Sequence, residues 1–98
     1  MTLRLTPRAL AEAKRIEAWW RRNRPAAPDL FDQELAAALD RIAQAPGLGR
    51  LYEQGDLDVP VRRVLLPKTL NHVYYAEDRQ DVVVLSVWGA LHEGGPKL

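Results

Sequence analysis

The sequence contains no cysteine, which excludes disulfide bonds and thiolate metal sites. It also lacks a long apolar run, and the longest ones, such as residues 82–87, are far shorter than the roughly 20 residues of a membrane-spanning helix. Internal repeats, low-complexity tracts and glycine-rich phosphate-binding motifs are absent as well. Because the amino terminus shows no apolar leader with a small-residue cleavage site, we expect a cytoplasmic protein.

What is present is typical of a globular domain. The chain has 98 residues, of which 47% are hydrophobic and 28% charged, so we expect one domain over residues 1–98. The net charge of +1 conceals an asymmetry, because residues 1–25 are rich in Lys and Arg whereas residues 26–58 are rich in Asp and Glu. Two interpretations remain open: the two segments attract each other, or the first forms a basic surface for an acidic partner.

The first half of the chain predicts a short strand followed by two helices. Leu3 and Leu5 alternate with polar residues, as in a strand with one buried face. Thr6-Pro7 then starts a helix that runs to about Arg22. A second helix begins at Pro28-Asp29 and is stopped by residues 46–49. The apolar positions follow the helical period in both, at Ala9, Ala13, Ile16 and Trp20 and at Phe31, Leu35, Ala38, Ile42 and Ala45.

The second half predicts strands. Residues 50–58 contain a glycine and several acids and are predicted to form a surface loop. Three strand-like runs follow at residues 61–66, 71–76 and 82–88, and an irregular, partly mobile tail is expected from Gly89 onward. The predicted fold is therefore α+β: a short N-terminal strand, a helical hairpin, and a three-stranded antiparallel meander, forming one sheet packed on the two helices.

With these elements in this order, several phrases of the sequence together indicate a family. They are Thr6-Pro7-Arg8-Ala9, residues 39–50, Val61-Arg62-Arg63, His72-Val73-Tyr74-Tyr75 and residues 82–88. On them the chain resembles the RelE/ParE superfamily of bacterial toxins from type II toxin–antitoxin systems, and it looks more like the ParE branch. The resemblance implies a toxin that a neighbouring antitoxin neutralises. ParE-like members inhibit DNA gyrase, whereas RelE-like members cut messenger RNA on the ribosome.

The branch depends on whether the sheet carries catalytic residues. Cleavage of RNA without a metal needs a proton acceptor, a proton donor and cations at one point. For a RelE-like nuclease the candidates would be Arg62, Arg63, Lys68, His72 and Tyr74. Strand alternation places His72 and Tyr74 on one face and Val73 and Tyr75 on the other.

The end of the chain argues against catalysis. After Ser86 there is no arginine or tyrosine, and Gly89 stands where many nuclease relatives have histidine. The leading hypothesis is therefore a toxin that inhibits gyrase by binding it. A ribosome-dependent messenger RNA endoribonuclease and a non-toxic remnant that only binds antitoxin remain the alternatives.

Arg62 and Arg63 are adjacent in a strand and so point to opposite faces. We expect one of them to lie against the core with a carboxylate partner. Each of the candidate catalytic side chains also has a purely structural interpretation, as a packed or solvated strand residue.

The candidate partner-binding residues are Trp19, Arg21, Arg22, Arg63, Trp88 and His92. Trp19 and Trp20 are adjacent in a helix and about 100° apart, so we place Trp20 in the core and Trp19 at the edge of the apolar face. No metal site is expected from His72 and His92, whose spacing fits no known ligand pattern, and no cofactor is expected.

Overall fold

A computed structural model of the chain describes residues 2–53, 58–91 and 94–98. Its elements are β1 (Leu3–Leu5), α1 (Pro7–Asn23), α2 (Leu30–Gln44), a 3-10 turn (Pro46–Leu48), β2 (Arg50–Tyr52), β3 (Val61–Leu66), β4 (Asn71–Asp78) and β5 (Asp81–Gly89). The strands form one five-stranded sheet in the order β1-β5-β4-β3-β2. β1 pairs with β5 in parallel and all other pairs are antiparallel, which confirms the predicted α+β class.

The predicted loop over residues 50–58 was wrong at its start. Arg50–Tyr52 forms β2, an edge strand that pairs with residues 61–63 of β3. A three-residue strand is too short to show an alternating pattern, and pairing with a distant strand decides its conformation. The rest of the meander follows the prediction, although β4 and β5 extend further, to a two-residue turn between Asp78 and Asp81.

A polar residue and a proline lie at or just before the start of each helix. The Thr6 hydroxyl accepts a hydrogen bond from the Ala9 amide and so caps α1, which has proline in its first turn. α2 starts at Leu30 rather than at Pro28, with Asp29 at its N-cap position. The turn between the helices is held by Trp20, whose indole N–H donates to the Ala27 carbonyl over 2.7 Å.

Ion pairs between the two helices account for part of the charge asymmetry of the sequence. The Arg21 guanidinium lies 3.0 Å from an Asp29 carboxylate oxygen and 3.3 Å from one of Asp32. Arg21 also pairs with Glu17 one turn earlier on α1. These contacts favour attraction between the two helices as one reason for the opposite charges, although exposed pairs of this kind each contribute little stability.

The core lies between the helices and the inner face of the sheet, which is the face that the helices cover. Its fully buried side chains come from both helices and from the three long strands, and they include Ala9, Phe31, Ala38, Ile42, Leu66, Val73, Tyr75, Val82, Val84 and Val87. Trp20 packs against this cluster, as predicted. None of the helices in the described part of the chain is long and apolar enough to cross a membrane.

A buried carboxylate attaches α1 to β5. One oxygen of Glu12 accepts hydrogen bonds from the Ser86 hydroxyl at 2.8 Å and from the Val87 amide at 3.2 Å. The other oxygen lies 3.4 Å from the Arg8 guanidinium. A buried carboxylate is costly unless such partners surround it, so these bonds fix the position of α1 on the sheet.

A second carboxylate holds the turn between β3 and β4 against α2. Glu34 accepts hydrogen bonds from the backbone amides of Lys68 and Thr69 and from the Thr69 hydroxyl, at 2.7 to 3.0 Å. Leu70 at the end of this turn has a φ of 60°, a conformation that a leucine rarely adopts. The carboxylate therefore supports a strained turn in the space where α2 and the sheet meet.

We expect Tyr75→Phe to lower the free energy of unfolding by about 1–3 kcal/mol, since it leaves the buried Gly49 amide and the partly buried Pro46 carbonyl without this partner. The Tyr75 hydroxyl donates to the Pro46 carbonyl at 2.7 Å and accepts from the Gly49 amide at 2.8 Å. Gly49 is needed for this approach, because a Cβ there would lie 2.7 Å from the Tyr75 oxygen.

The measurement is urea unfolding of Tyr75→Phe beside Tyr52→Phe. The Tyr52 hydroxyl makes only a 3.4 Å bond to the Pro96 carbonyl, so its removal should cost far less. Equal losses in the two variants would contradict the assignment of Tyr75 as the residue that anchors the 3-10 turn.

Candidate functional site

The outer face of the sheet, which the helices leave uncovered, carries a cavity of about 520 Å³. Residues from β2, β3 and β4 form its floor, and the end of β5 and the tail form its side. The lining residues are Leu51, Tyr52, Glu53, Arg63, His72, Tyr74, Gly89, Ala90, Gly94 and Gly95. Strand alternation accounts for the three predicted candidates among them, because Arg63 lies directly opposite Tyr74, and His72 is two residues from Tyr74 on the same face.

Ring contacts order the floor of this cavity. The Arg63 guanidinium carbon lies 5.5 Å from the centroid of the Tyr52 ring, a cation–π contact. Tyr52 and Tyr74 meet edge to face with ring centroids 4.8 Å apart, and His72 lies 5.9 Å from Tyr74 in a similar arrangement. Tyr74 is only 1% exposed. The tyrosines therefore serve first as packing that positions Arg63 and His72.

The electrostatics follow from burial and from the arginine. Burial, and to a lesser degree the charge of Arg63, lowers the pKa of His72 below that of a free histidine. Burial raises the pKa of the Tyr74 hydroxyl, although its hydrogen bond to Arg63 acts in the opposite direction. At neutral pH His72 is therefore neutral and Tyr74 protonated.

The end of the chain packs against this face. The residues from Gly94 to Leu98 form neither helix nor strand, yet Pro96 is buried and its carbonyl accepts a bond from the Tyr52 hydroxyl. Gly95 has a φ of +63°, and a Cβ there would lie 2.7 Å from the Tyr52 oxygen. The Lys97 carbonyl accepts a hydrogen bond from Arg8 at the start of α1. The tail thus borders the cavity through specific contacts.

Two of the five nuclease candidates lie elsewhere. Arg62 points to the helix side, as expected, and among the described residues its hydrogen-bond partner is the Gly49 carbonyl at 2.9 Å. The turn before β2 brings this backbone acceptor within reach of the half-buried side chain. Lys68 lies in the turn that Glu34 holds. Only Arg63, His72 and Tyr74 share a cavity.

The candidate partner-binding residues fall on different surfaces. Trp19, 45% exposed, and Trp88 line two adjoining cavities of about 320 and 290 Å³ beside α1, which have Arg15, Ile16 and Gly89 in common. Arg24 stacks on Trp19 at 5.5 Å. Arg21 forms ion pairs, and Arg22 is exposed on α1. Arg63 lies on the outer face, and His92 lies outside the described residues.

Two arginines of the site were not predicted from the sequence. Arg41, in the last turn of α2, and Arg50, in β2, line a second cavity of about 480 Å³ together with Arg63 and His72. Arg50 lay in the predicted loop, so no strand pattern placed it on a face. The only available signal was its charge in an otherwise acidic stretch of the sequence.

The chain is similar to known proteins in its fold and in its sequence. A solved structure described as the chromosomal ParDE TA system from P. aeruginosa matches with a TM-score of 0.74 over 91% of this chain and 95% of that one. At 16% sequence identity, this likeness shows the fold. No curated protein matches the chain. The family model for the ParE toxin of the type II toxin–antitoxin system parDE matches residues 3–92, and the chain belongs to this family.

We expect Arg63→Gln to raise the pKa of His72, because it removes a neighbouring positive charge. The pKa should stay below that of a free histidine, since burial is the larger cause of the shift. The measurement is an NMR titration of the imidazole protons, with the signal assigned from a His72→Gln variant.

Arg79→Gln, in the turn between β4 and β5, serves as the matched control and should leave the midpoint unchanged. A midpoint that does not move in Arg63→Gln would show that the arginine does not act on the histidine.

The lowered pKa of His72 also makes stability depend on pH. As the pH falls, His72 is protonated in the unfolded chain before it is protonated in the folded protein. The contribution of His72 to stability is therefore lost as the pH falls from the unfolded pKa through the folded one.

Proposed function

We propose that this protein is the toxin of a parDE-type pair, that it acts by binding DNA gyrase, and that an antitoxin encoded beside it neutralises it. Membership of the ParE toxin family supports the proposal. The observation that carries the choice of binding over catalysis is the dispersal of the candidate catalytic residues. Arg62 lies on the inner side of the sheet and Lys68 in a turn, away from Arg63 and His72.

The chemistry of RNA cleavage makes this dispersal important. A proton acceptor, a proton donor and cations must converge on one phosphate group. In the outer cavity Tyr74 is only 1% exposed and serves mainly as packing, so of the five candidates Arg63 and His72 are the ones available to a substrate. The second hypothesis, a messenger RNA nuclease, therefore rests on these two side chains.

We propose that the antitoxin covers the groove beside α1 to which Trp19 and Trp88 contribute. An exposed tryptophan next to apolar cavities offers the large rigid contact area that dominates many protein interfaces. Trp19 meets this description, since nearly half of its surface is accessible and it borders the larger of the two cavities. Gly89 lines both this groove and the cavity on the outer face, so an occupant of the groove would border the outer face.

The central test is DNA supercoiling by purified gyrase with increasing amounts of this protein. We expect inhibition at a low molar ratio of toxin to gyrase, together with intact messenger RNA in a translating extract. Unaffected gyrase would contradict the proposal. Cleavage of messenger RNA that Arg63→Ala or His72→Ala abolishes would establish the nuclease instead. Expression that harms no cells would indicate a remnant that only binds antitoxin.

The antitoxin surface is tested in the same assay with the protein encoded by the adjacent reading frame. That protein should restore supercoiling when added to the wild-type toxin, and Trp19→Ala should weaken its binding at least about tenfold. Leu10→Ala is the matched control, because Leu10 is equally exposed, at 46%, but lies at the other end of α1. Equal binding by wild type and Trp19→Ala would place the antitoxin elsewhere.

A further inference from the structure

The second cavity lies at a corner of the sheet where β2 begins. Pairing of β2 with β3 covers only residues 61–63, so Val64 to Leu66 have no partner from β2. The end of α2 and the 3-10 turn approach this free edge. The cavity is lined by Arg41, Leu48, Gly49, Arg50, Arg63, Val64, Leu65 and His72.

Two of these arginines are placed against each other. Arg50 and Arg63 are directly opposite in the antiparallel ladder, which puts their side chains on the same face of the sheet. Like charges in this position repel and destabilise a strand pair. Arg41 brings a third guanidinium to the same cavity from α2. The fold therefore places three arginines at this corner, although like charges directly opposite each other destabilise a strand pair.

No acidic side chain in the described part of the chain lines this cavity. The ion pairs found among the described residues belong to Arg4, Arg8 and Arg21, and not to the three arginines at this corner. Glu53 lines the neighbouring cavity, which also includes Arg63 and His72. Positive charge in a concave site whose described lining contains no carboxylate attracts anions from solution.

We propose that this corner is a binding site for a phosphate group, with Arg41, Arg50 and Arg63 as its ligands and His72 at its floor. A phosphate carries up to two negative charges and several acceptor oxygens, and the guanidinium fork matches this geometry. A single carboxylate has one charge and two oxygens, which would leave much of the cluster uncompensated. Leu48 and Leu65, both about half exposed, add apolar surface to the lining of this cavity.

The bound anion would also remove the repulsion between Arg50 and Arg63, so the same contact that binds phosphate stabilises the fold. The phosphate could be free or part of a nucleic-acid backbone, since both present the same oxygens. The proposal does not depend on gyrase as the target, because it concerns a ligand of the isolated protein.

The test is an NMR titration of the full chain with inorganic phosphate, at constant ionic strength maintained with chloride. We expect saturable shifts at the arginine side chains of the corner and in the His72 ring. Arg50→Gln and Arg63→Gln should each weaken the affinity about tenfold or more, as expected for the loss of a charge-assisted hydrogen bond. Arg79→Gln, an exposed arginine at the opposite end of the strands, should bind like wild type.

Two further titrations identify the source of the phosphate. A short single-stranded oligonucleotide that competes with inorganic phosphate would assign the site to a nucleic-acid backbone, whereas binding of phosphate alone would assign it to a free ion. Shifts that do not saturate, or that are the same in all variants, would overturn the proposal. It would also be overturned if a glutamate-rich peptide bound these residues more tightly than phosphate.

Discussion

The fold depends on strand β5 and on the carboxylate that attaches α1 to it. β5 lies between β1 and β4, so it joins the first strand of the chain to the meander. Its pairing with β4 shifts by one residue between Tyr74 and Tyr75, where Leu85 is the extra residue on β5. Just beyond this bulge, Ser86 and Val87 donate to Glu12. The bulge and the buried carboxylate together set how the helices lie on the sheet.

From this arrangement the two faces of the sheet acquire different tasks. The inner face carries the apolar side chains that the helices bury, including Val73 and Tyr75 of β4. The helices do not cover the outer face, where Arg63 and His72 line two cavities and Arg50 lines the second of them. A face without a core to support tolerates charge that would be expensive on the other side. We therefore attribute stability to the inner face and propose a binding role for the outer face.

Much of this architecture was predictable because local patterns were strong. The threonine–proline start of α1, the helical period of the core residues and the β-branched and aromatic residues of β3 and β4 each reflect one dominant local rule. The failures occurred where distant contacts decide. β2 forms by pairing with β3. The hydrogen bond from Arg62 to the Gly49 carbonyl depends on the position of the turn before β2. The arginine cluster was missed for the same reason, since its members come from three separate elements.

We attribute a binding role to the outer face because Arg41, Arg50 and Arg63 line a cavity there that has no acidic side chain in the described part of the chain. A double-mutant cycle between Arg50 and Arg63 measures this most directly, with Arg50→Gln, Arg63→Gln and the double variant unfolded in urea at low ionic strength. We expect a repulsive coupling of about 0.2–1 kcal/mol in chloride buffer that shrinks when phosphate is added. A coupling that is absent or attractive in chloride, or that phosphate leaves unchanged, would contradict a binding role for these arginines.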